Sequence, residues 1–199
     1  MKKLAIVIAF IATTYSFAQK TTWNVDASHS KVSFSVSHLV ISEVDGNFNS
    51  FNGSFISNKD DFSDAKITFD IDANSINTEN AKRDGHLKSE DFFYVEKYPK
   101  ITFKSTSFKK KSKNKYQLKG NLTMRGITKK VTLDVSHGGI IANDGFGNTK
   151  AGFKATGTIN RTDFGVAWNA KTEHGGMVVG EDIEITIKLE LVKKDPNVN

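Results

Sequence analysis

The chain has 199 residues, a formal net charge of +6 from 28 basic and 22 acidic side chains, fifteen phenylalanines and no cysteine. The absence of thiols excludes disulfides, thiol catalysis and cysteine-held zinc or iron–sulfur centres. The basic excess is mild and no recognition-helix pattern accompanies it, so nucleic acid is not expected as a partner.

Lys2 and Lys3 precede an unbroken apolar run from Leu4 to Ala12, and Ser16-Phe17-Ala18 then offers small residues at the two positions a signal peptidase reads. The run is too short to cross a bilayer as a helix. Residues 1–18 are therefore expected to be a cleaved secretory signal, which places the mature chain in the periplasm or outside the cell. No cysteine follows the cut, so a cysteine-linked lipid anchor is not expected. Without Lys2 and Lys3, 26 basic residues face 22 acidic ones, a charge of +4. Residues 19–199 suffice for one domain with a sizeable core.

From there the pattern is period two, the mark of half-buried strands. Val32, Phe34 and Val36 alternate with serines. A strand-like stretch from Val44 to Phe55 changes parity between Phe48 and Phe51, as a β-bulge would require. Alternation returns around Ile67–Ile71, Ile101–Phe103, Tyr116–Met124, Val131–Val135, Phe153–Ile159 and Ile183–Leu191. Only Thr78 to about Leu87 reads as helix, with Thr78 as the expected N-cap and Gly85 weakening it. Eight antiparallel strands with one apolar face close into a barrel or pack as a two-sheet sandwich, and period alone does not choose.

If the strands follow one another as a meander, their connections alternate between two ends. Asn74–Pro99, twenty-six residues long, then shares an end with Arg161–Gly180 and the Leu39–Glu43 turn. Connections of that length are more often functional than idle. The lysine-rich turn Lys109–Lys115 falls at the opposite end. It reads as a solvated hairpin tip, or as a patch for an anionic membrane surface.

Several residues stand out against that frame. Phe34, Phe69, Phe103 and Phe153 occupy inward positions, and an eight-stranded barrel either fills its interior or holds one small ligand there. Arg83, Asp84 and His86 suit a ligand head group, or a local ion pair that fixes the connection. Trp168 and Met177 could cover the mouth. The five histidines show no metal-ligand spacing. Asp163-Phe164-Gly165 matches the kinase metal-binding tripeptide without its companion loops and is read as chance, and no nucleophile elbow organises a serine hydrolase. Two other classes stay open: an outer-membrane barrel, which also alternates, and an enzyme with a histidine site at the mouth.

An ordered set of short motifs narrows this. Asp26-Ala-Ser-His29-Ser30 precedes Val32-Ser-Phe34-Ser-Val36-Ser-His38; Gly46-Asn-Phe48 and Phe51-Asn-Gly53 follow. Arg83-Asp84-Gly-His86-Leu87, Phe92-Phe93, Tyr98-Pro99-Lys-Ile101-Thr-Phe103, Gly120-Asn-Leu122-Thr-Met-Arg-Gly126-Ile127-Thr and Ile159-Asn-Arg161-Thr-Asp163-Phe164-Gly165 complete it. From Trp23 to about Val192 the chain resembles the YceI-like family of exported lipid-binding, or polyisoprenoid-binding, proteins. Tyr94 departs from it, standing where the family often has an acidic residue.

The resemblance implies an all-β fold: a lipocalin-like, eight-stranded antiparallel barrel with a short helix in the 74–99 connection. It also implies a carrier or reservoir rather than a catalyst, with no metal or other cofactor besides a bound isoprenoid lipid or quinone. The positions it implies for the lipid tail are Phe34, Val36, Phe48, Phe69, Ile71, Leu87, Phe92, Phe93, Phe103, Leu118, Leu133, Phe153, Phe164, Trp168 and Met177. For the head group it implies His38, Arg83, Asp84, His86 and Arg161. Partners are then the lipid and, transiently, a membrane surface; a dimer is left open.

Overall fold

The computed structural model describes residues 20–173 and 175–194. The expected signal segment and His174 lie outside them. Eleven strand segments form one antiparallel sheet. They are β1 (Thr21–Val25), β2 (Lys31–His38), β3 (Ser42–Phe48), β4 (Phe51–Ser57), β5 (Lys66–Asp72) and β6 (Ile76–Asn77), then β7 (Lys100–Ser112), β8 (Lys115–Met124), β9 (Ile127–Ile141), β10 (Lys150–Asn160) and β11 (Val179–Lys193). The one α-helix among the described residues, α1 (Ala81–Lys88), lies between β6 and β7.

Six of these segments are halves of three interrupted strands. Short polar side chains make the breaks by turning the backbone on itself. The Asp26 carboxylate accepts from the Ser28 N–H between β1 and β2, and Asp72 accepts from Asn74 N–H between β5 and β6. The expected parity change at Phe48–Phe51 is the break between β3 and β4. Halves pair with halves: β1 with β4 (Thr22↔Ile56), β2 with β3 (Val36↔Val44) and β3 with β6 (Phe48↔Ile76). Counted this way, eight strands run in chain order, and β11 meets both β1 (Trp23↔Lys193) and β2 (Ile185↔Phe34). The sheet closes into a barrel, the sandwich does not form, and closure removes the free edges.

The connections sort between the ends as a meander requires. The mouth end carries Leu39–Ile41, the segment with α1, Arg125–Gly126 and the long connection to β11. The floor end carries the β4–β5, β7–β8 and β9–β10 connections. The floor is solid: Phe62, 1% exposed, packs on Trp23 (ring centroids 5.2 Å apart) and Phe153 (5.1 Å). The Tyr116 hydroxyl ties the loop above it by donating to Asp61 O at 2.7 Å. A second cluster, with Ile76, Phe92, Phe164 and Val166, packs toward the mouth.

The helix starts two residues later than its sequence suggests. Asn80 is the N-cap, accepting from Arg83 N–H at 3.0 Å. Thr78 is instead held by Asp84, whose Oδ1 accepts from both the Thr78 N–H (2.9 Å) and hydroxyl (2.6 Å).

Candidate functional site

Inward phenylalanines at this density would ordinarily fill a small barrel. Three of them are laid back against the wall by glycines. A Cβ on Gly46 would lie 2.3 Å from the Phe34 ring, one on Gly53 2.4 Å from Phe69, and one on Gly120 2.2 Å from Phe103. Each ring covers bare backbone instead of crossing the lumen. Inward residues such as Phe34, Ile71, Phe103 and Ile185 accordingly stay only half-buried.

The result is a cavity of about 190 Å³ whose lining is apolar except for Ser33 and Arg161. It is on the order of the ~150 Å³ engineered cavity that admits benzene. At the mouth a second chamber, about 440 Å³, adjoins it. Phe34, Val36, Leu87, Phe92 and Val179 line both. The exposed surface of the mouth chamber is almost wholly apolar, but polar residues, Ser37, His38, Thr78, Asn80, Lys82, Arg83 and His86, stand around it. Among the described residues no acidic side chain belongs to this lining, and Lys82, Arg83 and His86 are its basic members besides His38.

Local hydrogen bonds fix several of these residues. Arg83 Nε donates to the Thr78 hydroxyl and Nη2 to Thr78 O, both at 2.7 Å, so part of its fork is used internally. His86 Nε2 lies 2.9 Å from Asp91 Oδ2, and its ring meets Phe92 and Trp168 edge-on, each at 5.0 Å. Arg125, from the turn after β8, donates to Glu90 O and Phe92 O and holds this segment over the barrel.

Most of the positions expected against a lipid tail face the inner cavity. From the strands these are Phe34, Val36, Phe48, Phe69, Ile71, Phe103, Leu118, Leu133 and Phe153; Leu87, Phe92 and Phe93 come down from the mouth segment. Trp168 lines the mouth chamber. Phe164 does not reach the lumen: it is 1% exposed in solid core, placed by the 3-10 turn Thr162–Phe164. Met177 points outward and is 43% exposed.

Of the head-group positions, His38, Arg83 and His86 reach the mouth chamber. Asp84 faces Thr78 instead. Arg161 lines the inner cavity but is 3% exposed, and its guanidinium donates to Gly180 O, Val166 O, Trp168 O and Val179 O. Burial pushes the Arg161 guanidinium down, and the nearby Glu181 carboxylate partly offsets this. Sequence reasoning omitted Lys82 and the inward face of β11, Ile183, Ile185, Ile187 and Leu189, although the alternation of that strand was visible.

One other cluster could suggest a metal. Ligand atoms of Asp26, His29 and Glu190 lie within 4.8 Å of one another. The Lys150 ammonium already occupies this place, 2.5 Å from Glu190 Oε1 and 3.3 Å from Asp26 Oδ2. The Ser28 hydroxyl, then His29, holds Asp26 well below the usual carboxylate range. The cluster clamps the seam where β1 meets β11.

Comparison with known proteins agrees with the fold. A YceI-like domain model matches residues 23–191. A UPF0312 protein of Staphylococcus aureus strain N315 is 38% identical over 170 residues, covering 85% of this chain and 96% of its own. The crystal structure of a Campylobacter jejuni YceI protein is 35% identical, with a TM-score of 0.68 over 86% of this chain and 97% of that one. A polyisoprenoid-binding domain from Saccharophagus degradans, 14% identical, has the same fold, with a TM-score of 0.61 over 86% of this chain and 98% of that one.

Proposed function

We propose that the chain, which belongs to the YceI-like domain family, is an exported carrier or reservoir for an isoprenoid or similar long-chain lipid. The lipid is held in the barrel without covalent chemistry. The observation that carries this reading is an almost wholly apolar lumen that continues into a mouth chamber bordered by Lys82, Arg83, His38 and His86. Each methylene buried there contributes ~0.8 kcal/mol, so a prenyl tail of several units gains strongly by leaving water. Lys82, Arg83 and His38 then meet the head group, as a quinone carbonyl or a prenyl phosphate would require. The polyisoprenoid-binding domain of Saccharophagus degradans, alike in fold, and the signal-like residues 1–18 support the reading.

The barrel is the inverse of a membrane-spanning one. Its apolar face lines the lumen, while Lys66, Lys154, Glu184 and Lys188 point outward and are exposed; an outer-membrane barrel needs the reverse. The reading is tested by native mass spectrometry on protein purified without detergent, followed by titration with a prenol and a prenyl phosphate. A co-purified or titrated prenyl lipid at one per chain is expected. Protein that arrives empty and takes up neither compound refutes it. Turnover of the bound lipid, lost in His86→Ala, would put catalysis in its place.

A further inference from the structure

A turn whose two central residues lie at positive φ is ordinarily built from Asn-Gly or a similar pair. Between β2 and β3 the chain places Leu39 (φ 54°) and Val40 (φ 68°) there. The Ile41 N–H closes the turn by donating to His38 O at 3.3 Å. A β-branched residue in this region is an outlier, and such strain persists only where something else repays it. Packing within the chain does not: Leu39 is 39% exposed, Val40 76% and Ile41 85%.

The turn is not isolated. The Leu39 N–H donates to Val178 O at 2.8 Å, and the Val40 side chain lies against Gly176. Met177, also exposed, therefore joins the same apolar tip. The neighbours of the tip, His38 and Val178, line the mouth chamber. Lys82 borders that chamber, and Lys171 pairs with Met177 through an isolated β-bridge, so two lysines belong to the same end of the barrel. Exposed apolar side chains at a tip with lysines on the same end suit an anionic bilayer surface.

We infer that Leu39–Ile41 and Met177 form an apolar fingertip that enters the surface of an anionic phospholipid bilayer and holds the barrel mouth against it. Lipid then passes between bilayer and lumen without crossing water. A second copy of the chain fits less well, because one narrow turn cannot bury the ~1,200 Å² that a stable dimer needs. This inference rests on the lipid-carrier reading above. A second exposed patch, Ile140, Ile141 and Phe146, lies at the floor end, beside the lysine-rich turn and away from the opening. It serves as the internal comparison.

The test uses the full mature chain and vesicles of phosphatidylethanolamine and phosphatidylglycerol. Co-sedimentation and the rate of extraction of a fluorescent prenyl lipid are measured. Ile41→Asp should lower vesicle binding and extraction about tenfold or more. Leu39→Asn combined with Val40→Gly should lower both while the thermal midpoint holds or rises, which separates the effect from misfolding. Phe146→Ser should change neither. Uptake of the same lipid diluted from ethanol should be unaffected in all three. Wild-type vesicle binding in both tip variants overturns the inference, as does loss in Phe146→Ser alone or a dimer that Ile41→Asp splits. If wild type takes up no lipid from ethanol, the carrier reading fails, and vesicle binding still decides the tip.

Discussion

Arg161 binds four main-chain carbonyls from two stretches of chain: Val166 and Trp168, which follow it, and Val179 and Gly180 at the start of β11. The family resemblance implied a head-group role for it, whereas its local sequence, Arg161-Thr162-Asp163, reads as shaping the end of a strand; a planar guanidinium also recognises anions. The same fork suits carbonyls, and local sequence does not say which it will meet. Arg161→Ala would strand several buried acceptors at ~1–3 kcal/mol each. A loss of at least ~3 kcal/mol in urea unfolding is expected, with only part recovered in Arg161→Lys, whose single ammonium cannot span the four. A near-neutral change with loss of ligand would instead return Arg161 to the head group. His137 makes a second residue-scale case. It stacks on Phe153 at 4.7 Å, and its buried Nε2 has no hydrogen-bond partner among the described residues. Burial pushes its pKa below the ordinary 6.5. The unfolded chain therefore binds the proton more readily, and stability should fall as pH drops below about 6.5 toward the folded value, while staying level above it. His137→Phe should flatten that limb, as read from thermal midpoints at pH 5 to 7.5; an unchanged slope would locate the proton elsewhere.

At the scale of elements, alternation revealed every long strand, because a strand with one buried face must repeat every two residues. It did not reveal β1, which is brief, or β6, which has two residues, too few to show a period. The N-cap was misplaced because Thr78 and Asn80 both qualify chemically, and the Asp84 carboxylate takes Thr78. The hollow itself was not legible. Phe34, Phe69 and Phe103 read equally as filling or lining, and the answer lies across the sheet. Gly46 and Gly53 sit directly opposite Phe34 and Phe69, and Gly120 sits on the strand beside Phe103. Gly46→Ala is therefore expected to swing the Phe34 ring toward the lumen, since the near atoms belong to the far end of that ring. Prenyl-lipid affinity should drop several-fold with a stability change within ~1 kcal/mol. A crystal structure of the variant with Phe34 unmoved, or unaltered affinity, would show that the glycine does not shape the pocket.

For the whole molecule, the meander count placed the long connections at one end without any knowledge of the third dimension, because antiparallel neighbours must alternate ends. Closure was beyond such counting: it depends on β1 and β2 meeting β11, a contact between opposite ends of the chain. The closed barrel is unequal along its axis. Its floor is packed around Phe62, while its mouth rests on α1, the 161–178 connection and an adjoining chamber. A ligand bound only by the folded state stabilises it by RT ln(1 + [L]/Kd), about 2.7 kcal/mol at a hundredfold excess over Kd. That gain should concentrate where the structure is least packed. Organic extraction of a lipid-loaded preparation is therefore expected to lower Tm and to speed amide exchange in α1 and residues 167–173, outside the packed Arg161–Val166 stretch. Exchange in the floor strands around Tyr116 and Val135 should change little below the global unfolding limit. Uniform deprotection, or none, would mean that the lumen and its mouth are not what the lipid holds together.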